Sequence, residues 1–205
     1  MRLKLCALLL VAVATVPALA EESSNVALAG GTHTQTSTLT VNVNYVNAMR
    51  LVLATGAAGP NCPIAPATNA GPYSMSFGNV NGLGINPDPC VTVSGTNPVV
   101  YGTTYKVTPT WTGFTGGGTN GTLTVYVSTN FTNSTILEMR EAATTGALTT
   151  ALSTNAGAPQ SIGSGNIVSG TTLNRALGVA VTPNNTVAAG PTADSAVLTY
   201  TLTVP

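Results

Sequence analysis

Residues 37–46 read STLTVNVNYV. Leu39, Val41, Val43 and Tyr45 fall on one side of an extended chain, and Thr38, Thr40, Asn42 and Asn44 fall on the other. This period-two alternation is the pattern of a half-buried β-strand about 30 Å long. It returns at the far end of the sequence, where Leu198, Tyr200, Leu202 and Val204 alternate with Val197, Thr199, Thr201 and Thr203. A chain bounded by two such stretches is expected to form one all-β domain, residues 37–205, with both terminal strands in its sheets.

Between them, short apolar runs are separated by Gly, Pro and Asn clusters. Residues 49–55 read as a second strand or a bulged continuation of the first, and residues 73–80 alternate through Tyr73, Met75 and Phe77. Further strands are expected at 90–94, at 99–108 with a bend at Gly102, and at 122–128 with Leu123, Val125 and Val127 on one face. Another is expected at 173–182, with Leu177, Val179 and Val181 inward. Trp111 falls in a Gly-rich turn region, and Gly116 to Gly118 with Asn120-Gly121 give a hairpin signal. Residues 135–143 (TILEMREAA) suit either a short helix or a strand. About eight to ten short strands at this spacing predict an antiparallel sandwich or barrel.

Residues 1–20 have the form of a secretory signal peptide: Arg2 and Lys4, an apolar run, then Ala18-Leu19-Ala20 before Glu21. Residues 21–36 read as a flexible leader. The apolar run is too short to span a membrane, and no later stretch approaches the ~20 apolar residues of a transmembrane helix. Secretion to the periplasm or cell surface is the expected localisation. Past residue 20 the cations are Arg50, Lys106, Arg140 and Arg175, against Glu21, Glu22, Asp88, Glu138, Glu141 and Asp194. With charged residues only 6% of the chain, there is no basic patch to neutralise phosphates, which argues against nucleic-acid binding. A surface of Thr, Asn, Ser and Gly suits a protein that lives in an extracellular assembly.

Cys62 and Cys90 remain after processing and are expected to form a disulfide in an oxidising compartment. On the chain-entropy account such a loop closure stabilises the fold by about 3–4 kcal/mol. A metal or redox pair would call for CxxC spacing or a neighbouring His, and neither is present.

Catalytic constellations are sparse. The sole histidine, His33, lies in the leader, where a preorganised triad has no rigid support. Glu138 and Glu141 share a face only on a helix and point apart on a strand; they read as surface charges beside Arg140. Gly116 to Gly118 lack the Lys and helix of a phosphate loop, and the carboxylates are too scattered for calcium. No enzyme, cofactor or metal is therefore expected. Trp111 and Phe114, with Tyr101 and Tyr105, read either as a sugar-stacking platform or as core packing.

The alternating leader strand, the strand ending in Phe77-Gly78, the single disulfide and the alternating closing strand 196–204 together resemble chaperone–usher pilins and spore-coat-like fimbrial subunits. The resemblance implies an immunoglobulin-like sandwich that lacks a strand, with Leu39, Val41, Val43 and Tyr45 filling the gap of a neighbouring subunit. The partners would then be further copies or other surface subunits. The chain departs from that pattern at its end: Tyr200 lies further in than the family's terminal aromatic residue, and Val204-Pro205 closes the chain. Pairing of residues 37–46 within their own domain is the competing expectation. An adhesin or carbohydrate-binding module using Trp111, with a glycan as partner, is the alternative function. An outer-membrane barrel would need aromatic girdles that this chain, 5% aromatic, does not supply.

Overall fold

The computed structural model describes residues 40–43, 47–57, 59–66, 71–113, 120–183 and 193–205. The segments read as signal peptide and leader, together with His33, Leu39, Tyr45 and Phe114, lie outside the described residues. Residues 1–43 and 44–205 are separate compact units.

The fold of the second unit is all-β and antiparallel. Its strands are β1 Ala48–Thr55, β2 Ile64–Ala65, β3 Ser74–Met75, β4 Thr92–Ser94 and β5 Val99–Thr112, followed by β6 Asn120–Thr129, β7 Leu137–Ala142, β8 Gln160–Val168, β9 Leu173–Val181 and β10 Val197–Thr203. The larger sheet runs β1-β5-β9-β7 with β4 also on β5; the smaller runs β10-β6-β8, and β2 pairs only with β3. Side chains from both main sheets enter one core. Tyr101, Tyr105, Val107, Leu177 and Val179 meet Leu123, Val125, Val127, Ile162 and Ile167, which makes the arrangement sandwich-like.

Alternation was a sound guide where both neighbouring strands exist. Leu123, Val125 and Val127 are all buried, as are Leu177, Val179 and Val181. The ambiguous TILEMREAA segment is strand β7, paired along its length with β9.

The opening stretch is a correction. Residues 40–43 belong to no strand, and Val41 and Val43 are 71% and 82% exposed. The first strand is β1, whose register from Ala48↔Thr112 to Thr55↔Tyr105 occupies that edge of β5 and leaves no place on it for residues 37–46. The hairpin signal also misleads, because β5 and β6 lie in different sheets. Trp111 sits on β5 rather than in a turn. Of the alternating 73–80 segment, only Ser74–Met75 pairs as strand.

A second, smaller core covers the outer face of the large sheet. Leu148 drops onto the cross-strand pair Gly102↔Gly178, with Val100, Ala142, Ala176 and Ala180 around it. A Cβ at either glycine would meet Leu148 Cδ1, at 2.9 Å from position 102 and 2.8 Å from position 178. These glycines therefore serve a close approach, not the bend expected at Gly102. Arg140 fixes the covering loop by donating from Nη1 to the Leu148 carbonyl at 3.1 Å.

Candidate functional site: an apolar groove beside the last strand

β10 is hydrogen-bonded to β6 and, among the described residues, ends its sheet. Beside it opens a groove of about 980 Å³. Its floor is the inner face of the large sheet, with Leu53, Tyr105, Met139 and Leu177. Leu198 and Tyr200 of β10 line it, and so do Tyr73, Met75 and Phe77 from the segment held between the cysteines. A sheet edge next to an open groove lined by buried and half-buried apolar side chains offers both main-chain hydrogen-bonding groups and side-chain pockets.

That segment is tethered at both ends. Cys62 and Cys90 form the expected disulfide across 28 residues. Buried Thr103 seats it, accepting from the Cys62 N–H at 2.7 Å and donating to the Cys90 carbonyl at 3.1 Å. Further along, the Tyr101 hydroxyl accepts from Asn81 N–H at 2.9 Å and donates to Asn81 O at 2.8 Å.

Behind Tyr105 and Tyr200 of the groove lies a polar knot that no periodicity announced. Glu141 projects into the core, where Arg175 donates to it through Nε at 2.6 Å and Nη2 at 2.8 Å. Gln160 Nε2 adds a bond of 2.8 Å to the same carboxylate, and the Tyr105 hydroxyl donates at 3.1 Å. Tyr105 meets Tyr200 edge-on, with ring centroids 6.2 Å apart, so the knot joins β10 to the large sheet. Burial, and then the neighbouring Tyr200 and Glu141, push the Tyr105 hydroxyl well above its ordinary pKa, and burial raises Tyr200 as well. The hydrogen bond to Glu141, opposed by burial, raises the pKa of Arg175. Both Glu141 oxygens are committed to donors, so the carboxylate is a structural anchor with no lone pair directed at an incoming substrate. The reading of Glu138 and Glu141 as paired surface charges is thus right only for Glu138, which meets Arg140 at 3.1 Å on the outer face.

Asp194 shapes the rim at the start of β10. Its carboxylate accepts from the backbone N–H groups of Thr132, Asn133 and Ser195 and from Asn133 Nδ2. Partial burial would raise its pKa, but these donors outweigh that and hold it below the usual carboxylate value.

The structure places Trp111 in the core packing rather than on an open face. It is buried, its backbone N–H donates to Ser169 Oγ at 2.8 Å, and its ring lies where a side chain at Gly121 would otherwise stand. Tyr101 and Tyr105 are buried as well. Among the described residues no group of His, Cys, Asp and Glu could hold a metal ion, and no helix is long and apolar enough to cross a membrane.

Comparison with known proteins adds no family: no family model and no curated protein matches the chain.

Proposed function

We propose that this protein is a secreted structural subunit of a surface filament or coat, assembled by strand donation. Residues 37–46 of one copy enter the groove beside β10 of the next. The observation that carries this reading is the open groove at a free strand edge, in a chain whose own Val41 and Val43 stand in solvent. Leu39, Val41, Val43 and Tyr45 would point down into the groove, while the backbone between them extends the β10 sheet. Fixing each donated residue costs roughly 1–2 kcal/mol of backbone entropy. Each apolar side chain buried returns about 1.5–3 kcal/mol, and the ladder hydrogen bonds add to it. A head-to-tail contact of this type does not close on itself, so the product is a filament.

The signal-like N-terminus and the disulfide support an extracellular setting. The resemblance to chaperone–usher pilins supports the mode of assembly and implies a periplasmic chaperone that guards the groove beforehand. The test is negative-stain imaging and size-exclusion of the mature chain with and without residues 21–46. Polymers are expected from the intact chain and monomers from the truncated one. Filaments that persist after truncation exclude the donor role.

A further inference from the structure

Strand register sorts the exposed apolar side chains of the 44–205 unit to its two ends. One end holds the start of β5 and the end of β9, because Val99 pairs with Val181. There the turn after Asn81 presents Leu83 and Ile85, 77% and 56% exposed. It belongs to that end because a side chain at Gly84 would touch Val93 and Val99. The other end holds the start of β1 and the end of β8, where Ala48 pairs with Thr112 and Asn120 with Val168. Met49 and Val168 are 45% and 55% exposed there.

The Leu83 turn is held rigidly. Asn81 Oδ1 accepts from the N–H groups of Leu83 and Ile85 at 3.0 and 3.3 Å, and its Nδ2 donates to the Ile85 carbonyl at 2.7 Å. Large apolar side chains fixed on a preorganised turn lose little entropy when covered, which is the economy of a contact surface.

Charge is divided between the ends in the same way. Arg140 pairs with Glu138 and Arg175 with Glu141. Of the remaining charged residues beyond position 40, Asp194 lies at the Leu83 end, bonded to the turn between β6 and β7, and Asp88 precedes β4 in that half. The cation Arg50 is in the other half, opposite Thr110, while Lys106, opposite Ala54, stands near the middle of β5.

We infer that the Leu83–Ile85 end of one copy docks on the Met49–Val168 end of a second copy, apolar against apolar and carboxylate toward cation. The inference rests on the strand-donation reading in one respect. The patch alone is small against the ~800 Å² per partner of a stable interface, so it acts once a donated strand tethers the copies at high effective concentration. The direction fits a strand donated antiparallel to β10, which would leave the groove at the Leu83 end and continue into its own unit at Ala48, on the Met49 end. Docking there adds a heterologous contact that stiffens the filament.

The test uses mature chains with one added cysteine each, Leu83→Cys or Met49→Cys, carrying tags of different mass and oxidised together after the native disulfide has formed. Within one chain these positions lie about 40 Å apart along β5, and each chain carries only one of them, so a mixed cross-link reports contact between copies. Mixed dimers should dominate over like–like dimers. Leu83→Ser with Ile85→Ser should speed polymer dissociation about tenfold or more, and raised salt should act in the same direction. Polymers that yield only like–like cross-links, or none, overturn the end-to-end contact and leave donation standing. Mixed cross-links in a polymer that survives removal of residues 21–46 leave this contact standing and sink donation. A mature chain that forms no polymer overturns both.

Discussion

Two ion pairs reach in opposite directions from strand β7, and their contrast gives a quantitative test of the core. Glu141 has a fully buried side chain, and its Arg175 partner is 12% exposed, whereas Glu138 is 44% exposed beside Arg140. Glu141→Gln removes the charge that Arg175 was buried against and breaks a carboxylate that also satisfies Tyr105 and Gln160. Breaking a buried pair from one side costs about 3–5 kcal/mol, because the surviving charge remains desolvated. For a chain of this size that is a fall in Tm of roughly 6–20 °C. Glu138→Gln alters a carboxylate that is 44% exposed, although its Arg140 partner is only 10% exposed, and leaves the Arg140 bond to the Leu148 carbonyl in place, so it should cost clearly less, about 1 kcal/mol. Urea unfolding of both variants, followed by tryptophan fluorescence of Trp111, measures the difference. Glu141→Leu combined with Arg175→Met should recover part of the loss, since replacing a whole buried pair removes the stranded charge. Equal effects at positions 138 and 141 would refute the buried knot.

Asp194 gives a pH dependence. Its folded pKa is depressed, so its contribution is present above the unfolded value near 3.8 and is lost as pH falls through the folded value. Stability should therefore decline on acidification below about pH 4, and Asp194→Asn should flatten that part of a urea-midpoint profile. Gly178→Ala forces a methyl group against Leu148 and the Tyr101 carbonyl, and should cost about 1–3 kcal/mol. Adding Leu148→Ala should make the pair clearly less than additive in a double-mutant cycle. Trp111→Ala should lower stability by about 3–5 kcal/mol as a core truncation, with no selective change in retention on glycan surfaces; loss of retention at full stability would restore the stacking role.

Some of this architecture could be read directly from local pattern. The alternation of β6 and β9 named their inward residues, and β10 was placed to within a residue at each end. β8 went unread because Gly163 and Gly165 interrupt its alternation and a register shift between Gly121 and Leu123 displaces its pairing with β6. The groove was not legible at all, since its walls come from segments as far apart in sequence as Leu53, Phe77 and Tyr200.

By itself the sequence determined an all-β chain, the pairing of Cys62 with Cys90, and which side chains share a face of each regular strand. Those are consequences of a two-residue repeat and of covalent chemistry, both local. Only the tertiary structure decided that Glu141 turns inward while Glu138 turns out, that β1 rather than residues 37–46 takes the edge of β5, and that β10 is left beside an open groove. Periodicity specifies the two faces of a strand; the partner it finds across the sheet decides which of them is buried.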